Sequence, residues 1–233
     1  MSQPLVSIIL TVYNIDPKYL TGCIESILKQ TVQDFEILVV DDASSSDYGY
    51  LEKLSPKIRY FRNNVNLGLC KSVNRMFTEV RGKYTVRLGS DDWFAPTMLE
   101  EEIAVLDNNP SIIACCCNLV KCWEYKKSII RRPVVWDLNQ ILHGFYKHTG
   151  YAGGMMFRSN VLSKIKIDES LKICEDFAFH LELLRLGSIH AIPHNLYFYR
   201  KHDTQITKKF LRDTRLEIID GIIQRFKLRY RIH

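Results

Sequence analysis

The chain has 233 residues, of which 46% are hydrophobic, and a formal net charge of +6 at neutral pH. This length suits one large α/β domain or two small ones, and no apolar run is long enough to span a membrane. Ten basic and four acidic side chains between Arg200 and His233 account for the whole charge excess. A basic tail on a balanced chain argues against a nucleic-acid-binding protein and points instead to an anionic surface, or only to solubility.

Cysteine usage and the N-terminal sequence predict a cytoplasmic protein. The seven cysteines are an odd number, three of them are consecutive at positions 115–117, and none form a Cys-x-x-Cys pair. This pattern predicts buried, reduced thiols and no structural zinc site. The first four residues do not resemble a signal peptide.

The first half of the chain alternates between predicted strands and helices. Apolar residues at helical spacing predict three helices, over 20–28, 69–80 and 98–106. The alternation predicts an α/β fold with a Rossmann-like, mainly parallel sheet flanked by helices on both faces. Nearly continuous apolar runs predict five strands covered on both faces, at Val6–Val12, Phe35–Val40, Ile58–Phe61, Tyr84–Leu88 and Ile112–Cys117.

The second half is more irregular and is predicted to form a smaller, antiparallel region. Asp137 is expected to cap a short helix, and an apolar stripe from Leu211 to Phe226 predicts a terminal helix. The other predicted elements are a hairpin over Leu119–Val135 that turns near Lys126-Lys127, a strand over Tyr151–Phe157, a helix over Ile173–Leu186, and two short strands over Ile189–Ile192 and Leu196–Tyr199.

Polar residues follow three of the predicted parallel strands. Tyr13-Asn14 come after the first strand, Asp41-Asp42 after the second and Asp91-Asp92 after the fourth. Open parallel sheets bind ligands beyond the carboxyl ends of their strands, so all three groups should lie along one edge. One acidic pair after a strand could be only turn and cap chemistry, but three polar groups on a common edge favour a ligand site.

The two acidic pairs suit different ligands. Asp41 and Asp42 can accept hydrogen bonds from a base or a ribose. Asp91 and Asp92 suit a hard divalent cation that shares its oxygen ligands with a diphosphate. Adjacent carboxylates repel unless a cation or a donor compensates, which favours a ligand role for the second pair.

Other segments could complete such a site, although each has a simpler alternative. Asn66 and Gly68 open a helix whose N–H groups can bind an anion, or form only a turn and cap. Glu175-Asp176 lie in the first turn of a helix, where the dipole alone favours acids, but one of them could be a general base. Gly153-Gly154 could admit a substrate nearby, and His202 could ligate a metal or lie only on the surface.

Together these segments resemble the family-two glycosyltransferases with the GT-A fold, from about residue 6 to residue 202. The family's acidic motif commonly begins with an Asp two residues before Asp91, where this chain has Gly89. The resemblance is carried by Val6–Asn14, Val40–Ser44, Asn66–Leu69, Leu88–Asp92 and Glu175-Asp176.

This resemblance implies an inverting transferase of glycan or polysaccharide synthesis, with a nucleotide-sugar donor that is usually UDP-linked. It also implies a divalent metal, Mn²⁺ or Mg²⁺. The site residues that it implies are Thr11, Tyr13, Asn14, Asp41, Asp42, Asn66, Gly68 and Asp91 for the nucleotide sugar; Asp92, Asp91 and His202 for the metal; Asp176 as the base with Glu175 beside it; and Gly153 and Gly154 on the acceptor side.

The resemblance also implies a division of the chain. Residues 1–205 would form one domain, with a nucleotide-sugar-binding half at 1–95 and an acceptor half at 96–205. Residues 206–233 would form a basic amphipathic helix. The apolar stripe of this helix is expected to pack on the domain. Alternatively, four basic residues that alternate with apolar ones meet an anionic bilayer that holds a lipid-linked acceptor, which would place the protein at the inner face of a membrane; they are Arg225, Lys227, Arg229 and Arg231.

Two other functions compete with this one. A sugar nucleotidyltransferase typically has a glycine-rich basic loop after its first strand, and residues 13–17 are not such a loop. For a nucleotide-sugar-binding protein without catalysis, Gly89 is the one indication. The presence of Asp91, Asp92 and Asp176 argues against it.

Overall fold

The computed structural model describes residues 3–131, 135–145, 153–203, 205 and 212–232. The described strands are β1 (Val6–Val12), β2 (Phe35–Asp41), β3 (Ile58–Arg62), β4 (Tyr84–Gly89), β5 (Trp93–Phe94), β6 (Ile112–Cys122), β7 (Lys127–Ile130), β8 (Val135–Trp136), β9 (Met156–Arg158) and β10 (Ser188–Arg200). The helices are α1 (Pro17–Leu28), α2 (Leu69–Phe77), α3 (Met98–Asn108), α4 (Leu138–Gln140), α5 (Glu175–Leu186) and α6 (Arg212–Tyr230).

The strands form one mixed sheet in the order β3-β2-β1-β4-β9-β6-β10-β5, with β7 beside β6 and β8 beside β10. The four strands β3, β2, β1 and β4 are parallel to one another, and β6 is parallel to β10. Strand β9 runs antiparallel between β4 and β6. The predicted α/β fold with a mainly parallel sheet is therefore confirmed. The short antiparallel strands β7, β8 and β9 belong to the second half, as expected, whereas β5, which pairs antiparallel with β10, lies at the end of the first half.

Two apolar layers cover the faces of this sheet. Along β1, Ile8 and Leu10 face a layer that contains α1 and α3, whereas Ile9 faces the layer that contains α2, α5 and α6. Successive side chains of a strand point to opposite faces, so both faces can be buried only if nearly every residue is apolar. This explains why the predicted bounds of β1 match those of the structure.

Three predictions in the second half need correction. The strand predicted over Tyr151–Phe157 is present as β9 but begins only at Met156, because Gly153 and Gly154 form a turn; Tyr151 lies outside the described residues. The positive φ of Gly154, 70°, is incompatible with a strand. The two strands predicted near the end of the domain are one, β10, with register shifts after Ile192 where Pro193 cannot donate a ladder hydrogen bond.

The predicted hairpin and the short capped helix are present. Strands β6 and β7 pair antiparallel, and the N–H of Trp123 donates to the carbonyl of Lys126, so the turn precedes Lys127 instead of including it. The carboxylate of Asp137 accepts a hydrogen bond from the N–H of Gln140 at 2.8 Å, which caps α4. Strand β6 runs on to Cys122, five residues beyond its predicted end, because β10 pairs with it over that length.

The terminal helix α6 packs on the sheet. Ile219, Ile222, Ile223 and Phe226 are buried in the layer that also contains α5. The apolar stripe predicted for this helix therefore faces the protein core, and Leu211 lies outside the described residues. Within the described ranges, no helix combines the length and the apolar character that crossing a bilayer requires.

Candidate active site

The polar groups predicted after β1, β2 and β4 meet at one edge of the sheet. Val12 is in register with Asp41, and Thr11 with Gly89, so the three strands end at nearly the same level. The N–H of Asp42 donates to the carbonyl of Val12 at 2.9 Å. Strand β10 also ends here, since it runs parallel to β6 in the same direction as β4.

Asp41 and Asp42 are buried and hold the loops around this edge. Asp41 accepts hydrogen bonds from the N–H of Ser44 and the hydroxyl of Tyr60, both at 2.8 Å, and pairs with Arg62 at 2.5 Å. A side chain with these three partners fixes the loop after β2. The nucleotide-contacting role predicted for Asp41 would therefore act through the loop that it holds.

Asp42 holds the start of α2 in the same way. It accepts hydrogen bonds from the Asn63 side chain at 2.7 Å and from the N–H groups of Leu67 at 2.8 Å and Gly68 at 2.9 Å. The Asn66 side chain donates to the Asp42 carbonyl at 3.3 Å, and Gly68 takes the positive φ of 84° that only glycine adopts without strain. Asp42 thus occupies two N–H groups of the turn that leads into α2, which begins at Leu69.

The segment after β1 lies against the same loops. The side-chain oxygen of Asn14 accepts hydrogen bonds from the N–H and the hydroxyl of Ser45, at 2.8 and 2.9 Å. Thr11 is half-buried, whereas Tyr13 is 52% exposed. Tyr13 therefore offers a free aromatic face at this edge, as a nucleotide contact would require.

Asp92 is buried, and both of its carboxylate oxygens have protein partners. One oxygen accepts a hydrogen bond from the hydroxyl of Tyr197 at 2.5 Å, and the other from the N–H of Arg200 at 2.8 Å. Burial, and secondly the neighbouring Asp91 carboxylate, raise the pKa of Asp92 well above its ordinary value. Both oxygens are therefore engaged by protein donors, so Asp92 helps to position the turn that carries Asp91. Its role as a metal ligand, which the resemblance implies, stays a prediction.

Asp91 is the more accessible acid of the pair. Its carboxylate lies 2.9 Å from Nε2 of His202, and its carbonyl accepts a hydrogen bond from Nε of Arg200 at 2.8 Å. The Asp91 carboxylate is an oxygen ligand of the kind that Mn²⁺ and Mg²⁺ prefer, and both ions take other ligands from water and substrate phosphates. The His202 imidazole is a softer ligand, which Mn²⁺ accepts more readily than Mg²⁺. In the part of the chain that the structure describes, no group of three or more His, Cys, Asp or Glu side chains could hold an ion by itself.

Aromatic rings that the sequence did not indicate support the basic end of β10. The Arg200 guanidinium lies 4.6 Å from the ring centroids of both Tyr19 and Trp93. The Tyr19 ring also lies 5.0 Å from that of His202. Tyr19 comes from α1 and Trp93 from β5, so neither belongs to a local motif with Arg200. Their spatial proximity is the one signal that identifies them.

Glu175 and Asp176 begin α5 and have different environments. Glu175 pairs with Arg87 of β4 at 3.4 Å, and both side chains are mostly buried. Asp176 accepts a hydrogen bond from the N–H of Phe177 at 2.8 Å and is half-buried. Because Arg87 lies two residues before Gly89, the ion pair brings the start of α5 next to the strand that leads into the acidic turn. Arg87 was not singled out in the sequence.

The Tyr197 ring packs directly against the backbone of Gly153 and Gly154. A Cβ atom at Gly153 would lie 2.9 Å from Cζ of Tyr197, and one at Gly154 would lie 2.2 Å from its Cδ2. The missing side chains therefore make room for Tyr197, and the space predicted to admit a substrate at these positions is occupied by its ring. Gly89 is similar, since its Cβ would lie 2.8 Å from an oxygen of Asp92.

Comparison with known proteins identifies the family. The model of the family described as "Glycosyl transferase family 2" matches residues 7–166. An uncharacterized glycosyltransferase of Methanocaldococcus jannaschii is 32% identical over 197 residues, which cover 79% of this chain and 66% of that protein. An uncharacterized glycosyltransferase of Haemophilus influenzae is 30% identical over 224 residues, which cover 89% of this chain and 68% of that protein. The chain spans about two thirds of the length of these curated relatives.

Solved structures of low sequence identity share the fold. S. aureus TarS 1–349 in complex with UDP-GlcNAc has a TM-score of 0.74 at 21% identity, over 89% of this chain and 61% of that one. The complex of the same protein with UDP has a TM-score of 0.71 at 22% identity, over 84% of this chain and 60% of that one. The GT-A type fold expected from the sequence is confirmed by this likeness. Since the family match covers more than half of the chain, the protein belongs to glycosyltransferase family 2.

Proposed function

We propose that this chain transfers a sugar from a UDP-linked donor to an acceptor hydroxyl, with inversion and with the help of Mn²⁺ or Mg²⁺. The observation that carries the proposal is the pairing of Asp91 with His202, beside Arg200, at the sheet edge where parallel sheets bind ligands. Membership of the family and the UDP and UDP-GlcNAc complexes of the structural neighbour TarS support the choice of donor.

Asp91 and His202 would hold the metal, and Asp92 would hold them in place. A bound divalent cation would stabilise the negative charge that develops on the leaving diphosphate. Arg200 lies next to this pair and adds a second positive charge on the same side. Tyr13, with its exposed ring, and the loops held by Asp41 and Asp42 would receive the nucleoside.

Asp176 would act as the general base. The acceptor oxygen forms a bond to the anomeric carbon, the bond from that carbon to the diphosphate oxygen breaks, and the hydroxyl proton passes to the Asp176 carboxylate. One carboxylate suffices for this single displacement, whereas retention would need a second as nucleophile.

The acceptor class follows from the same proposal. We propose a glycan or lipid-linked acceptor, in polysaccharide synthesis at the cytoplasmic face of a membrane. The apolar stripe of α6 is buried, so contact with a bilayer would depend on exposed cations such as Arg225 and Arg231. Such contact is electrostatic, weak and sensitive to salt.

Calorimetric titration of UDP tests the donor site. We expect UDP to bind in the presence of Mn²⁺, to bind much more weakly in EDTA, and to lose the metal-dependent part in Asp91→Asn. Asp107→Asn is the control, because Asp107 pairs with Lys83 and Tyr84 at the opposite end of β4. A wild-type protein that ignores UDP, with metal or without it, would refute the proposed donor. Hydrolysis of UDP-sugars then identifies the sugar.

A further inference from the structure

Tyr197 is a buried residue at the centre of the contacts that surround the acidic turn. Its side chain is on β10 and is 3% exposed, and its hydroxyl donates to Asp92 at 2.5 Å. The N–H of Gly89, the last residue of β4, lies within 3.5 Å of the same hydroxyl oxygen. One phenol therefore contacts both the end of β4 and the turn that follows it.

Asp92 connects Tyr197 to the residues of the proposed cation site. It accepts from Tyr197 through one oxygen and from the N–H of Arg200 through the other, so two points of β10 are fastened to one carboxylate. Arg200 in turn donates to the Asp91 carbonyl, and His202, two residues further on, meets the Asp91 carboxylate. The distance between the two proposed ligands depends on β10 keeping this position against the turn.

The Tyr197 ring packs against the backbone of two consecutive glycines, Gly153 and Gly154. Any side chain at Gly153 or Gly154 would overlap the ring, at the distances given above. Gly154 also has a φ of 70°, which disfavours every other residue. Because the ring fits only against bare backbone, a methyl group at position 153 should displace the hydroxyl from Asp92.

We propose that Tyr197 is a positioning residue for the binding of a divalent cation with a nucleoside diphosphate. It holds Asp92, and through Asp92 and Arg200 it sets the spacing of Asp91 and His202, while Gly153 and Gly154 are needed to house it. The inference rests on the proposed function of the site. Residues that support metal ligands in this way typically change metal affinity by about 10- to 100-fold when they are substituted.

Tyr197→Phe removes the hydroxyl and keeps the ring. The measurement is the Mn²⁺ concentration that gives half-maximal UDP binding, which we expect to rise about tenfold or more, while UDP binding in EDTA stays at its wild-type level. Tyr84→Phe is the matched control, because Tyr84 is also fully buried and donates to an aspartate, Asp107, at 2.6 Å. It should lower stability comparably and leave the Mn²⁺ dependence unchanged.

Gly153→Ala provides an independent second variant, in which the hydroxyl is retained but displaced. We expect it to weaken Mn²⁺ binding alone and to add nothing further in the Tyr197→Phe background, because both changes remove the same hydrogen bond. An unchanged Mn²⁺ dependence in both single variants, with wild type binding UDP and Mn²⁺, would overturn this inference alone. A wild type that binds no UDP with Mn²⁺ would overturn it together with the proposed function.

Discussion

The Asp91 carboxylate and the His202 imidazole meet at 2.9 Å although 111 residues separate them in the chain. Asp91 belongs to the turn after β4, and His202 follows β10, three sheet positions away. The intervening strands bring both to one edge, where Arg200 adds a guanidinium between two aromatic rings. A carboxylate, an imidazole and a guanidinium are thereby concentrated where an anionic ligand and a cation would bind together.

His202→Gln should raise the Mn²⁺ concentration needed for half-maximal UDP binding by about tenfold or more, because it removes one of two proposed protein ligands. Calorimetry at several Mn²⁺ concentrations measures this. His194→Gln is the control, since His194, which lies on β10, also pairs with a carboxylate, that of Glu101 on α3, at 2.5 Å. Equal behaviour of the two variants would contradict the role of His202.

Asp176→Asn should abolish sugar transfer and leave UDP binding intact. Loss of a general base typically lowers kcat by about 10²- to 10⁴-fold. Glu175→Gln should act differently, because it breaks the contact with Arg87 and so lowers stability as well as rate. Comparison of kcat, UDP affinity and urea unfolding for the two variants separates these effects. If Asp176→Asn still transferred sugar at a substantial rate, Asp176 would not be the general base.

Asp42→Ala should destabilise the fold by about 2 kcal/mol, because it leaves the buried amide of Asn63 and the N–H groups of Leu67 and Gly68 in the adjoining turn without their acceptor. UDP affinity should also fall, since the loop that receives the nucleoside loses its anchor. Asp47→Ala is the comparison: this exposed residue accepts from Gly49 alone and should cost less than about 1 kcal/mol. Urea unfolding measures both, and equal losses would rule out the anchoring role.

Glu102 on α3 should make stability fall as pH rises. It is fully buried, neither of its carboxylate oxygens has a hydrogen-bond partner among the described residues, and burial raises its pKa well above the ordinary value of 4.5. With the folded pKa above the unfolded one, the native state binds more protons above pH 4.5. The contribution of Glu102 to the free energy of unfolding is therefore fully present below pH 4.5, and it is lost progressively as the pH rises towards the pKa of the folded state.

Glu102→Gln removes this titration and keeps the shape of the side chain. The stability of the variant relative to wild type should increase as the pH rises above 4.5, as measured by urea unfolding at each pH. Below pH 4.5 the acid is protonated in both states, so the difference should be constant there. A difference that does not change with pH over the whole range would contradict the account.

Binding to anionic vesicles at low salt should be weak and should disappear at high salt, since the apolar stripe of α6 is buried and exposed cations such as Arg225 and Arg231 would supply most of the attraction to the bilayer. Flotation with phosphatidylserine-containing vesicles measures it, and neutral vesicles are the control. Replacing Arg225 and Arg231 with Gln should reduce the bound fraction. No binding at low salt would exclude peripheral contact through this helix.

The sequence by itself determined the elements whose signals are local. The bounds of β1 follow from an apolar run that two covered faces require, and Asp42 and Asp91 could be placed at one edge because parallel strands end together. Periodicity also predicted the apolar stripe of α6. These inferences need only neighbouring residues and the geometry of a parallel sheet.

Only the tertiary structure decided which partner each of these side chains contacts. Asp91 and Asp92 are indistinguishable in sequence, yet the turn directs one towards His202 and the other towards Tyr197, 105 residues away. Gly153 and Gly154 resemble a substrate opening until the Tyr197 ring is placed against them. Side-chain direction and long-range packing depend on how the whole chain closes, and no pattern of spacing in the sequence contains that information.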